Sequence, residues 1–150
     1  MPAPLTIRPV EASDEARWRE LWTQYLAFYG TTLPEAVYRS TFGRILARER
    51  PGPFGLLALR DGQAVGLVHY IFHRHGWKIE DVCYLQDLFT DPAHRGTGAG
   101  RALIAAVYAE ADRMGCPSVY WLTQEFNYAG RMLYDRVGVR TPFIRYNRPG

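Results

Sequence analysis

Cysteine is scarce in this chain: Cys83 and Cys116 are the only two among 150 residues. Two cysteines build no disulfide framework. Both read as reduced, buried thiols of a cytoplasmic protein. Long apolar runs are also missing, and none approaches the ~20 residues that cross a bilayer. Met1 to Val10 has no apolar stretch of the kind a secretory signal needs, so none is expected. Repeats, low-complexity tracts and internal linkers are absent. Charge of one sign is weak, with a net +3 and a pI near 9.0. That balance suits an anionic ligand. A nucleic-acid binder would rest on charge alone and would show steep salt dependence, so nucleic acid is not an expected partner. What the chain does have is 47% hydrophobic residues, enough for a real core. Its length fits one domain over residues 1–150.

The most informative stretch is Tyr84–Ala106, Y-L-Q-D-L-F-T-D-P-A-H-R-G-T-G-A-G-R-A-L-I-A-A. Leu85 to Phe89 reads as a strand. Asp91-Pro92 turns the chain out of it, because proline lacks an N–H and restricts its neighbour. Arg95-Gly96-Thr97-Gly98-Ala99-Gly100 then opens a helix that continues as Arg101-Ala102-Leu103-Ile104. A glycine-rich turn at a helix start leaves several N–H groups free and pointing one way. With the helix dipole behind them they suit a phosphate. The P-loop pattern fails, for no Lys-Ser/Thr pair follows, and the dinucleotide fingerprint fails because Arg101 stands where a small residue is required.

Elsewhere the pattern alternates between strand and helix periods. Leu5 to Arg8 reads as a strand. Ser13 or Asp14 caps a helix carrying Trp18, Leu21, Trp22, Tyr25, Leu26 and Tyr29, and Gly30 ends it. Pro34 starts a second helix that Pro51-Gly52-Pro53 breaks. Phe54–Leu59 and Ala64–His73 form a hairpin through Asp61-Gly62. Asp81–Thr90 is the central strand, Gly98–Met114 a helix, and Ser118–Thr123 a strand rich in aromatic and β-branched residues. Asn127 caps a helix reaching Val137, and Phe143–Asn147 is expected as a last short strand. The middle reads as a right-handed βαβ unit in a mixed sheet covered by helices. His73-x-His75 has the spacing of a metal pair but sits in a turn without an acidic or cysteine partner, so no metal is expected.

Arg95-x-x-Gly98-x-Gly100 resembles the acyl-CoA signature R/Q-x-x-G-x-G/A of the GNAT acetyltransferase superfamily. The element order resembles the GNAT fold over nearly the whole chain. Leu85–Thr90 sits where the family's fourth strand precedes its pyrophosphate loop. Val119–Thr123 sits where the fifth strand splays from the fourth. Asn127 through Gly138 resembles the family's N-x-x-A-x-x-(L/F)-Y-x-x-x-G helix, with Gly130 at the small position. The W-L-T-Q and L-Y-D-R-V-G runs are most similar to spermidine/spermine and histone/polyamine-type acetyltransferases. The resemblance implies an α/β (α+β) fold: a central mixed, mostly antiparallel sheet with a splayed fourth and fifth strand, flanked by about four helices.

It also implies an acetyl-CoA-dependent N-acetyltransferase acting on a primary amine by direct transfer in a ternary complex. Polyamines, small amines or amino acids, and lysines stand open as acceptors. In this resemblance Leu88, Phe89 and Thr90 pair with the pantetheine arm, and Arg95, Gly96, Thr97, Gly98, Ala99, Gly100 and Arg101 hold the pyrophosphate. Asn127 contacts the cofactor arm, and Tyr134, two helical turns on, contacts it too and acts as general acid. Tyr25, Tyr29, Tyr84 and Glu125 are candidates for the amine pocket. A polyamine pocket should be lined by several carboxylates, with Glu35, Glu80, Asp81 and Glu125 as contributors. The base is the open point. The family often carries Glu where this chain has Gln86 or Tyr84; Gln cannot accept a proton, and Tyr84 would need a depressed pKa. Strand alternation puts Tyr84, Gln86 and Leu88 on one face and Asp87 on the other, so Asp87 reads as a structural carboxylate. Glu80, Asp81 or Glu125 then act through water. The Gln86 substitution also motivates an alternative, a catalytically silent acyl-CoA-binding module. Related small members are commonly dimers, and a homodimer is expected.

Overall fold

The computed structural model describes residues 3–150. β1 (Leu5–Pro9) leads into α1 (Glu15–Phe28) and α2 (Glu35–Ala47). Asp14 stands at the start of α1, but its side chain serves other groups. Arg8 grips it at 2.7 and 2.9 Å, and the Glu11 N–H donates to it at 2.7 Å. Gly30, at φ +68°, turns the chain away from α1. β2 (Phe54–Arg60) and β3 (Gln63–His73) follow as a hairpin. Asp61 and Gly62 both have positive φ, which matches the twist of the flanking strands. β4 (Val82–Thr90), α3 (Ala99–Arg113), β5 (Val119–Tyr120) and α4 (Tyr128–Val137) complete the order.

The five strands lie in sequence order, antiparallel except for the parallel β4–β5 pair. One face packs under α3, where Val68, Tyr70, Phe72, Cys83, Leu85, Leu103, Ile104 and Val107 are buried together. The other packs under α1 and α2 around Trp18, Leu21, Trp22, Phe42, Ile45, Leu57, Leu67 and Phe89. Trp18 and Leu21 are 0% exposed. Each fully buried aliphatic side chain contributes about 1.5–3 kcal/mol relative to exposure.

Three expectations change. The strand expected over Ser118–Thr123 pairs only at Val119 and Tyr120, because the chain diverges from β4 after Tyr120. Phe143–Asn147 forms no strand, since no strand edge of the described chain meets it. Finally, β4 is bulged. His69 of β3 opposes Asp87 while the next residue, Tyr70, opposes Leu85, so Gln86 is the extra residue. A bulge shifts the alternation by one. Leu85 and Leu88 therefore share the α3 face, and Asp87 joins Phe89 toward α1. Tyr84 and Leu88 do not share a face, and Tyr84 and Asp87 do.

Candidate active site

β4 is zipped to β3 along its length but touches β5 at only two residues, Cys83↔Val119 and Tyr84↔Tyr120. Beyond Tyr84 the two strands part, and among the described residues this edge of β4 has no strand partner from Leu85 to Thr90. A cavity opens at the split. Tyr25 of α1, Tyr29 just past its end, Gln86 and Leu88 of β4, Trp121 after β5 and Tyr134 of α4 line it. No carboxylate is among its lining residues.

The glycine-rich turn sits just past the end of β4. Gly96 and Gly98 have φ of +76° and +94°, values that favour glycine strongly. Gly98 is the N-cap of α3, and the first helical bond runs from Ala102 N–H to its carbonyl. Among the described residues, no protein acceptor takes the N–H groups of Gly96 through Arg101. These are the free donors a diphosphate needs. The turn is braced from outside its mouth. Arg60 donates to the Thr97 carbonyl at 3.0 Å, Arg95 donates to the Thr90 carbonyl at 3.3 Å, and Thr97 Oγ1 donates to His94. Arg95 and Arg101 are themselves exposed. Gly100 lies against Leu133 and Thr90, where an added Cβ would come within 3.2 Å of Leu133. The backbone geometry thus fits a CoA-like ligand: an open strand edge followed by unpaired amides.

α4 begins at Asn127, whose Oδ1 accepts from the Gly130 N–H at 3.3 Å and whose Nδ2 donates to Thr123 at 3.0 Å. Its side chain works as an N-cap. That cap also explains Gly130, since a Cβ there would sit 2.6 Å from the Asn127 amide. Seven residues on, Tyr134 faces the cavity, and burial pushes its phenol up to about 12. It is therefore protonated at neutral pH.

On the α1 side of the split, Asp87 is 8% exposed and lies among hydrogen-bond donors. Trp22 Nε1 donates to Oδ2 at 3.2 Å, and His69 Nδ1 meets the same oxygen at 2.8 Å. Trp18 Nε1 donates to His69 Nε2 at 2.9 Å. Indole N–H can only donate, so Nε2 is an acceptor and the proton sits on Nδ1. Tyr25 donates to the Gln86 carbonyl at 3.4 Å. Burial first, then the neighbouring Asp87 charge, raises its phenol far above the ordinary range. Tyr29 is raised for the same two reasons, and Tyr84 chiefly by burial.

The structure brings Tyr25, Tyr29, Gln86, Leu88 and Tyr134 to one cavity, while Thr90 ends β4 and residues 95–101 form the turn and first residues of α3. Tyr84 stacks on Tyr120 with ring centroids 4.8 Å apart, beside the lining. Glu80, Asp81 and Glu125 do not line the cavity. Asp81 sits before β4, 3.5 Å from Arg50. Glu80 is exposed in the β3–β4 turn, and Glu125 is exposed ahead of α4. Glu35 is held by Arg19 at 2.7 Å on the far side of α1. Sequence reasoning missed His69 and Trp121. A lone histidine inside the apolar run of β3 was the available signal for the first.

Residues 15–139 match the model of the acetyltransferase (GNAT) family. The chain belongs to that family and is an acetyl-CoA-dependent N-acetyltransferase. A relative at 36% identity is the D-amino-acid N-acetyltransferase HPA3 of Saccharomyces cerevisiae, with 97% of this chain aligned to 91% of that protein. An uncharacterized N-acetyltransferase, YhfO of Bacillus subtilis, is 27% identical over 95% of each chain. Among solved structures, the aminoglycoside N-acetyltransferase AAC(6')-Iy in complex with CoA superposes with a TM-score of 0.84 at 21% identity, covering 99% of this chain and 97% of that one. A ribosomal-protein-alanine N-acetyltransferase from Brucella melitensis shares the fold at 0.78 and 19% identity, over 98% and 100%. Membership of an enzyme family with a named enzyme relative sets aside the silent-module alternative raised by Gln86.

Proposed function

We propose that this single-domain enzyme acetylates the amine of a small, amino-acid-like substrate by direct transfer in a ternary complex. The observation that carries the choice is the lining of the cavity. It presents phenols, an amide and an indole, from Tyr25, Tyr29, Tyr134, Gln86 and Trp121, and no carboxylate. A polyamine carries several positive charges and would leave each without a partner there. The similarity to a D-amino-acid N-acetyltransferase supports the same reading.

In this reading the free edge of β4 at Leu88–Thr90 holds the pantetheine arm, and the amides of residues 96–101 hold the diphosphate, with Arg95 and Arg101 adding charge at the rim. Bound there, acetyl-CoA supplies an activated acyl group. The Leu88 N–H stabilises the oxyanion. Tyr134, protonated at neutral pH, gives its proton to the departing sulfur. Asn127 keeps the α4 terminus in register and so keeps Tyr134 in place. Tyr25, Tyr29 and Tyr84 shape the acceptor end. Lysine-like amines hold their proton at neutral pH, and removing it costs about 4.6 kcal/mol at pH 7, so a proton acceptor is required as well. No helix of the described residues is long and apolar enough to cross a membrane. The buried free thiols of Cys83 and Cys116 suit a reducing compartment such as the cytoplasm.

The enzyme also works as a homodimer in this reading. Val139, Phe143, Ile144 and Tyr146 are exposed along the tail, and a partner's strand edge would give Phe143–Asn147 the pairing it lacks. Sedimentation at micromolar concentration should give twice the 17.2 kDa chain mass, and a monomer would remove the dimer. For the substrate, CoA release is measured across D- and L-amino acids, spermidine, an aminoglycoside and a lysine peptide. The amino acids should lead. A tenfold preference for spermidine or the peptide would overturn the assignment.

A further inference from the structure

The proton acceptor is the part of the reaction that the family motif leaves unfilled here, because Gln86 holds no titratable group. Asp87 fills it by geometry. The bulge at Gln86 turns Asp87 toward α1, next in the chain to Gln86, which lines the cavity. Both N–H donors that reach the carboxylate, from Trp22 and His69, land on Oδ2. No N–H donor reaches Oδ1 among the described residues, so one oxygen of a held carboxylate is left to act. The Trp18 N–H locks the tautomer of His69, which can then only donate to Asp87. Tyr25 lines the cavity, and its hydroxyl reaches the carbonyl of Gln86, the residue next to Asp87, at 3.4 Å.

We infer that Asp87, held by His69 and Trp22, takes the acceptor amine's proton through the Tyr25 hydroxyl. This inference rests on the acetyltransferase reading of the cavity. The Tyr25 hydroxyl turns from the Gln86 carbonyl to the Asp87 carboxylate; the ammonium N–H bond then breaks toward the Tyr25 oxygen while the Tyr25 O–H bond breaks toward Asp87. The products are a neutral amine whose nitrogen keeps the electron pair, an intact phenol and a neutral Asp87 carboxylic acid. The proton returns to solvent by the reverse path before the next turnover. Tyr25 never becomes a phenolate, consistent with its raised pKa. His69 on β3, Tyr25 on α1, Tyr29 just past its end and Tyr84 on β4 are the titratable groups around Asp87. Tyr25 is the group that touches substrate, Asp87 acts through it, and His69 is a positioning residue.

The test compares amines that differ in basicity. A lysine-like amine has a pKa of about 10.4 and an α-amine next to an amide one of about 7.7–8.0. Without an acceptor the enzyme can use only amine that is already neutral in solution. At pH 7 Asp87→Asn should therefore lower kcat/KM about 10²–10³-fold for the lysine-like amine. For the amino-acid amide the loss should stay within about tenfold. The gap should close as pH rises toward the pKa of the amine. Tyr25→Phe should show the same dependence on amine basicity, and CoA affinity should be unchanged in both variants. An equal loss for both amines at every pH would make the network a packing element only and overturn the inference. If Asp87→Asn fails to fold, the Tyr25→Phe result decides by the same criterion. A wild-type enzyme that binds CoA yet releases none with any amine would instead sink the acetyltransferase reading first.

Discussion

The two edges of β4 meet different fates. One edge is hydrogen-bonded to β3 from Val82 to Thr90, interrupted by a single bulge. The other is paired to β5 at two residues and then stands open. The closed edge carries the core: Leu85, Phe89 and their neighbours are buried, and the Trp18–His69–Asp87–Trp22 chain ties it to α1. The open edge borders the cavity, and the turn into α3 carries the free amides. The difference teaches that, in the proposed binding mode, the fold would hold its ligand with hydrogen bonds the chain leaves unmade, kept rigid by those it makes one strand away.

That contrast can be broken from either side. On the closed side, Trp18→Ala should cost about 3–5 kcal/mol of unfolding free energy, read from urea melts. A loss under ~1 kcal/mol would mean the closed edge is not what holds the site. On the open side, Tyr134→Phe should leave folding and CoA affinity intact and lower kcat by about 10²-fold or more. An unchanged kcat would remove it as proton donor. Gly98→Val adds a side chain that meets nothing within 4 Å, so its effect is conformational. At φ +94° the strain is about 1–3 kcal/mol. It should appear as about tenfold weaker CoA binding together with a Tm lower by several degrees, and an unchanged CoA affinity would contradict it.

The smallest effect concerns acid. The Arg8 guanidinium hydrogen bonded to Asp14 holds that carboxyl below the ordinary carboxylate range. A carboxyl whose folded pKa is depressed contributes stability above its unfolded pKa, near 3.9, and loses it as pH falls through the folded value. The urea midpoint should therefore drop below about pH 4, and Asp14→Asn should flatten part of that drop. Arg17 acts on Asp91 in the same direction.

The elements were legible wherever one segment carries its own signal. Gly98 starting α3, Asn127 starting α4 and Asp61-Gly62 turning the hairpin are local chemistry, and each appears where expected. The glycine-rich turn also announced its free amides. The bulge at Gln86 was not legible, because no local residue requires it; it follows from pairing with β3. With the bulge went the facing of Asp87, and hence its meeting with His69, 18 positions away in sequence. Phe143–Asn147 has strand-forming composition, but a strand exists only when an edge meets it. Glu80, Asp81 and Glu125 lie near β4 or α4 in the sequence, but none of them lines the cavity at the split.

The most direct measurement is backbone hydrogen exchange with and without CoA. Amides on the open edge of β4 between Leu85 and Thr90, and those of Gly96 through Arg101, should slow markedly when CoA is present. Amides bonded to β3 should change little. Equal or absent protection across these two sets would contradict the claim that the unmade hydrogen bonds are the binding site.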